Sequence, residues 1–304
     1  MARSAPVATL SAMSRSTLGV FRGRAAVAAG VTRKQLSALC AAEIVVRVLP
    51  DTYRMTVVAS SEAQLLRAAL LWAGDEAAAA GRSAGGHYGF EGVRAARPEI
   101  VVPRHVRRRS DKVAVHHGSD LRQLTIRRHR GIRVTGPEAT LVQLAHGLDE
   151  EAFEIACEDA RRQRLTSVPA LRSYLDRFAR PGQRGVATMR DLLAQLDPAH
   201  PARSTLEVKT RRLLLAQGLG DFHREHPLSW GGRTYAFDFA FLPQRTILET
   251  NGRRWHDDPD DYEHDHEKWS IPGRLGYKLV LATWEKVTGH PAAFIAELRT
   301  TLAA

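Results

Sequence analysis

Cysteine is scarce: Cys40 and Cys157 are the only two in 304 residues, and no CxxC pair occurs. That excludes a disulfide scaffold and a thiolate zinc site, and it predicts a reducing, cytoplasmic setting. Long apolar runs are missing too. The longest, LLRAALLWAG, is interrupted by Arg67 and followed by Asp75 and Glu76, so no membrane span is expected. The leader MARSAPVATLSAMSRS lacks the continuous apolar stretch of a secretory signal, and no internal repeat is visible. What remains is an ordinary apolar fraction of 44% on a chain long enough for two or three domains.

Charge is distributed unequally. The formal net charge is +11, yet residues 201–304 hold 14 Lys+Arg and 14 Asp+Glu, so the whole excess lies in residues 1–200. A basic front and a neutral back predict that the front meets a polyanion and the back does something else. The bland alternative is the Arg-rich usage of a high-GC genome.

Residues 1–16 read as a flexible or helical leader, and residues 17–56 are the first legible segment. Gly30 ends a short helix, and Thr32 opens another with Gln35 three residues on, the spacing of a capping box. Leu36, Leu39 and Cys40 form its buried face, leaving Thr32, Arg33, Lys34 and Ser37 outward as candidate DNA contacts. IVVRVLPDTYRM follows as two strands about a Pro50-Asp51 turn. Helix, turn, helix and β-wing make a winged helix-turn-helix, whose second helix enters the DNA groove; a small helical packing module is the other reading. The G-V-T-R opening and VVRVLPDTY resemble the N-terminal domain of AbiEi-type antitoxins of type IV toxin–antitoxin systems. That resemblance implies DNA binding and a toxin protein as a further partner. The family wing usually has glycine where this chain has Pro50-Asp51.

Residues 57–200 read as a mixed, basic middle domain. LLRAALLWAGDEAAAAGRSAGGHYGF suggests helix, loop, helix, and short basic strands follow. Arg104, Arg107, Arg108, Arg109, Arg127, Arg128 and Arg130 are candidate phosphate contacts, or a solvated basic face. VTGPEATLVQLAH resembles the middle region of the same antitoxins through Thr135, Pro137 and Thr140. Pro and Gly punctuation predicts a linker near 197–203.

Residues 201–304 carry the chemistry. The pattern predicts α-β-β-β-α-β-α: STLEVKTRRLLLAQG as an amphipathic helix, HREHPLSW as an edge strand, and TYAFDFAFL paired with TILETN. Strict alternation puts Tyr235, Phe237, Phe239 and Phe241 on one face and Ala236, Asp238 and Ala240 on the other, a cleared space beside a carboxylate. Glu249 and Asn251 share a face of the return strand, so Asp238 and Glu249 are expected close together on one sheet face. Such carboxylates repel unless a proton or cation is shared. A hard ion, Mg²⁺ or Mn²⁺, would relieve the repulsion and activate a water against a phosphodiester.

This layout resembles the PD-(D/E)XK nuclease superfamily, and within it the endonuclease-like family related to very-short-patch-repair (Vsr) endonucleases. The matching residues are Ser204-Thr205-Leu206-Glu207, Asp238-Phe239, Glu249-Thr250-Asn251-Gly252 and His256, with Asp265 and Lys268 on the next helix. The resemblance implies that Asp238 and Glu249 hold the metal and that Glu207 completes or orients its shell. It implies a general acid/base or phosphate-contact role for His256. Asn251 stands where the nearer family has Asp and the wider superfamily has Lys. It can orient a water but cannot neutralise charge.

Duller readings stand beside these. Glu207, three after Ser204, fits a capping box; Asn251-Gly252 is a common turn dipeptide; His256, His264 and His266 could chelate a transition metal, though at no familiar zinc spacing. The sequence therefore predicts a multidomain protein of α/β plus α+β class, a DNA-binding endonuclease needing Mg²⁺ or Mn²⁺. The alternative is a catalytically inactive repressor or antitoxin.

Overall fold

A computed structural model describes residues 4–118, 120–251 and 259–304, a mixed α/β protein with three sheets. The chain divides into two units, Met1–Leu196 and Asp197–Ala304. Among the described residues no helix is long and apolar enough to cross a membrane.

The first unit opens with α1 (Ser4–Ser14), β1 (Val20–Arg22), α2 (Gly23–Ala28), α3 (Arg33–Ala41), β2 (Val45–Leu49) and β3 (Thr52–Met55). The leader is helical, and its Leu10 is fully buried beside Phe21, Ala26, Leu36 and Leu39. Thr32 caps α3 reciprocally: its Oγ1 accepts from Gln35 N at 3.2 Å, and Gln35 Oε1 accepts from Thr32 N at 2.9 Å. The three strands form an antiparallel sheet in the order β1-β3-β2. β1, three residues long, is too short to show a period and was not foreseen.

Asp51 at the hairpin turn has φ +54°, a left-handed conformation that normally favours glycine. Its carbonyl accepts from Gly23 N at 2.9 Å and its Oδ1 from Arg24 N at 2.9 Å. The turn thus satisfies amide donors at the start of α2, which a glycine side chain could not do.

The unit continues through α4 (Glu62–Ala73), β4 (Ala78–Ala79), α5 (Gly81–Tyr88), β5 (Glu99–Pro103), β6 (Ala114–Gly118), β7 (Arg127–His129) and β8 (Ile132–Val134). Helices α6 (Pro137–Leu144), α7 (Glu150–Arg162), α8 (Val168–Phe178) and α9 (Val186–Gln195) complete it. The stretch read as a loop between two helices holds β4, the middle strand of the sheet β6-β5-β4-β8-β7. Val20 and Leu49 share one core with Leu66, Trp72, Ile100 and Phe153, so the first three strands pack into the same unit as the segment after them.

Thr135, Pro137 and Thr140 have a structural explanation. Pro137 occupies the first turn of α6, where no N–H is needed. Buried Thr140 Oγ1 meets Thr135 Oγ1 at 2.7 Å and lies 2.8 Å from Gly136 O. A Cβ on Gly136 would stand 2.0 Å from Thr125 Oγ1, which demands glycine there.

The second unit comprises α10 (Thr205–Ala216), β9 (His223–Trp230), β10 (Arg233–Phe241), β11 (Thr246–Asn251), α11 (Pro259–Arg274), β12 (Lys278–Thr283) and α12 (Pro291–Ala303). The expected element order is present. The sheet runs β12-β11-β10-β9, antiparallel except for β12 beside β11, the parallel pair that α11 connects. One core gathers Phe239, Phe241 and Leu248 with Leu206 of α10 and Phe294 of α12. The other gathers Phe237, Ala240 and Ile247 with Ile271 of α11. The expected strict alternation of β10 therefore fails: Phe237 and Phe239 lie in different cores, and Ala240 is packed rather than beside an open space.

Thr140→Val should destabilise the chain by about 1–3 kcal/mol, because it leaves the buried Thr135 hydroxyl without its partner. Thr140→Ser should cost less. Urea denaturation of both variants checks this, and equal losses would assign the effect to packing.

Candidate metal-binding carboxylate site

The alternation breaks at Asp238. Phe237 pairs with His226 and Phe239 with both Arg224 and Leu248, but Asp238 has no partner in either register. Carboxylates take over the ladder there. Asp238 N donates to Glu249 Oε2 at 3.1 Å, and Thr250 N donates to Asp238 Oδ2 at 2.8 Å. Thr250 Oγ1 adds a second donor to the same oxygen. A strand whose amides bond side chains in place of carbonyls can turn, which is how successive phenylalanines reach opposite cores.

Across β9 the matching irregularity is Glu225, with φ +49°. Such a conformation costs a non-glycine residue roughly 1–3 kcal/mol. In a regular strand Arg224 and Glu225 would point to opposite faces. Here both serve one site: Arg224 Nη2 donates to Glu207 Oε1 at 2.7 Å, while Glu225 stands beside Asp238.

Glu207 enters from the first turn of α10. Ser204 Oγ accepts from Glu207 N at 3.1 Å, the cap foreseen from the sequence. The Glu207 carboxylate returns to Arg203 N at 2.6 Å and not to the amide of Ser204. With its other oxygen on Arg224, it is tied at both ends and 1% exposed. Burial raises its pKa; the Arg224 hydrogen bond opposes that rise, and the Asp238 charge reinforces it.

Oxygens of Glu207, Glu225 and Asp238 all lie within 4.8 Å of one another. The donor set is all carboxylate oxygen, which suits a hard cation. Arg203 pairs with Glu225 and Arg224 with Glu207, leaving the trio one negative charge in excess. Glu225 is 8% exposed, and its buried Oε1 has no hydrogen-bond partner. An orphaned carboxylate oxygen in an acidic cluster is what a bound cation would satisfy, so the residues present fit one.

Glu249 has different partners. Lys268 of α11 donates to its Oε1, and the Lys268 ammonium also lies 4.9 Å from the centre of the Phe237 ring. The expected close approach of Asp238 and Glu249 is present, but through the amide of Asp238 and not as two ligand oxygens of one cluster. Burial, followed by the Asp238 charge, pushes the Glu249 pKa up to about 7 against the pull of Lys268. Asn251 ends β11 opposite Thr283 of β12. His256, Gly252 and the side chains of His264, Asp265 and His266 lie outside the described residues.

In the first unit, Thr32, Arg33, Lys34 and Ser37 line the exposed side of α3. Arg104, Arg107, Arg109, Arg128 and Arg130 are exposed. Arg108 and Arg127 have structural contacts: Arg108 lies over Trp72 at 5.7 Å, and Arg127 Nε donates to Tyr88 Oη at 3.0 Å. Glu225 was missed because nothing in HREHPLSW announces a left-handed residue inside a strand.

Glu249 titrates near 4.5 unfolded and about 7 folded. The folded state therefore holds the extra proton between those values. Its stabilising contribution is full below pH 4.5 and is lost as pH rises to about 7. Urea denaturation of Glu249→Gln against the parent should show this slope removed; identical pH profiles would assign the titration elsewhere.

No family model and no curated protein matches the chain. Among solved structures it is similar to the RV2827C protein of Mycobacterium tuberculosis, at 20% identity and a TM-score of 0.45, over 68% of this chain and 80% of that one.

Proposed function

We propose that the chain is a DNA-binding protein whose second unit is a divalent-metal-dependent endonuclease. The observation that carries this is the buried Glu207–Glu225–Asp238 cluster with its unpartnered carboxylate oxygen. The order α10-β9-β10-β11-α11-β12 supports a PD-(D/E)XK core, and α2-α3 with the β2–β3 hairpin supports a winged helix-turn-helix in a cytoplasmic DNA-binding protein.

Glu207, Glu225 and Asp238 would hold Mg²⁺ or Mn²⁺. The ion, when bound, lowers the pKa of a water and stabilises charge on the scissile phosphate. Arg224 and Arg203 orient the carboxylates and limit their repulsion. Thr250 fixes the Asp238 rotamer through two hydrogen bonds to one oxygen, leaving the other for ligation. Lys268 supplies beside Glu249 the positive charge that Asn251 lacks. His256 would contact the phosphate or move a proton, as the resemblance to Vsr-related endonucleases implies. In the first unit, Arg33 and Lys34 project from the first turn of α3 toward the groove, and Arg107, Arg108 and Arg109 add phosphate contacts.

Asn251 favours a second reading, a catalytically inactive repressor or antitoxin with a toxin protein as partner. Plasmid nicking with Mg²⁺ or Mn²⁺ separates the two. The endonuclease reading expects nicking that chelation removes and that Asp238→Asn abolishes, with duplex binding intact or slightly tighter. If the parent is inert and Asn251→Asp nicks, the second reading holds for this chain on the same fold. Equal cleavage by Asp238→Asn would move the active site elsewhere.

Arg33→Ala with Lys34→Ala should weaken specific DNA binding by about 1–3 kcal/mol per lost contact, without unfolding. Unchanged gel-shift titrations would remove α3 from the interface.

A further inference from the structure

Two stretches far apart in the sequence, the β2–β3 hairpin and the segment joining β5 to β6, wall one cleft of about 380 Å³. Arg47, Leu49 and Pro50 line one side, and Arg109, Asp111 and Lys112 the other. Arg47, Arg109 and Lys112 are exposed. The walls are held firmly. Ser110 bridges to Val113, Lys112 N donates to Ser110 Oγ at 3.2 Å, and Arg97 Nη1 donates to Asp111 O at 2.8 Å. Opposite them Leu49 is buried in the main core of the unit.

The positive field extends beyond the cleft. Arg22 has a pKa lowered first by burial and then by the charge of Arg24, with Asp51, its ion-pair partner at 3.8 Å, opposing that and Arg108 adding to it. Arg47 acts in turn on the thiol of Cys40 in the last turn of α3, where burial is the larger influence and Arg47 opposes it. Arg22, Arg24 and Arg108 thus add cations near the hairpin to those that line the cleft.

We propose that this cleft is a phosphate clamp in which Arg47, Arg109 and Lys112 close on the phosphodiester backbone of a DNA duplex held by α3. The inference rests on the DNA-binding reading above and adds to it the place where backbone is gripped. Phosphate needs cations on a fixed frame and little else. An acidic protein segment would also need apolar or aromatic anchors to bind well. The cleft offers little of this: Leu49 is buried, no aromatic residue lines it, and its remaining apolar lining is the small pair Val48 and Pro50. Asp111 is the single carboxylate among its lining residues and works against the occupant.

Fluorescence anisotropy of a labelled duplex of arbitrary sequence, titrated with the full chain across a KCl series, tests this. Arg47→Ala, Arg109→Ala and Lys112→Ala should each weaken binding severalfold at low salt. Each should also reduce the slope of log affinity against log salt by about 0.9, the value for one lost phosphate contact. Asp111→Asn should tighten binding. The clamp is overturned if the parent binds duplex and all three alanine variants keep its salt slope. It is likewise overturned if they bind duplex as the parent does and lose affinity only for polyglutamate, which would make the occupant an acidic protein. A parent that binds no duplex at any salt overturns the DNA-binding reading itself, a result read before any variant is made.

Discussion

The second unit turns on an exchange of hydrogen bonds in the middle of its sheet. Asp238 gives its amide to the carboxylate of Glu249 and takes the amide of Thr250 on its own carboxylate. A continuous ladder would have tied those amides to carbonyls and kept the strands in even register. Substituting side-chain oxygens frees β10 to turn, so Phe237 faces the α11 core and Phe239 the α10 core. The same exchange holds two acidic side chains at the sheet centre in fixed orientations. Packing and site geometry are therefore one constraint: without the turn at Asp238, neither the two cores nor the carboxylate cluster would form as they do.

Electrostatics follow from that placement. Bringing Glu207, Glu225, Asp238 and Glu249 into a buried region would be prohibitive with all four charged and unpaired. Each is answered locally. Arg224 and Arg203 pair with Glu207 and Glu225, Lys268 pairs with Glu249, and Asp238 relies on neutral donors from Thr250. Where the compensation falls short, burial shows in the titration: the Glu207 pKa is raised, and that of Glu249 is pushed up to about 7. What is left unsatisfied is a hydrogen-bond acceptor at Glu225, whose Oε1 has no partner.

Much of this was legible in the sequence because it is periodic or locally capped. Thr32 with Gln35, Ser204 with Glu207, the glycine near position 30 and the helix-strand order of residues 204–304 all follow from short-range rules. What escaped is non-local or non-periodic. β1 is three residues long, and β4 is a two-residue strand of alanines that reads as loop yet sits mid-sheet. Glu225 and Asp51 adopt left-handed conformations that no propensity assigns to them. The alternation of TYAFDFAFL predicted one aromatic face and was misleading for a physical reason: period-2 reasoning presumes an unbroken ladder, and the ladder breaks at the one polar residue of the central run. The anomaly was visible as a lone aspartate among aromatics, but its consequence depended on Glu249 and Thr250, residues of another strand.

Asp51 and Glu225 illustrate one rule on opposite sides of the linker. Both are acidic residues held at positive φ, where glycine would be less strained. Asp51 has a visible return: its side chain satisfies an amide at the start of α2. Glu225 has only half of one, an ion pair with the largely exposed Arg203. An ion pair whose cation is largely solvated contributes too little to offset a strained backbone together with a buried, unpartnered oxygen. Strain of that kind persists where something else stabilises the folded state, and a divalent cation bridging Glu207, Glu225 and Asp238 would do so by binding the native arrangement and not the unfolded chain. On this reasoning a bound cation would give the irregularity in β9 and the acidic cluster a common cause, since the kink at Glu225 is what brings its carboxylate beside those of Glu207 and Asp238.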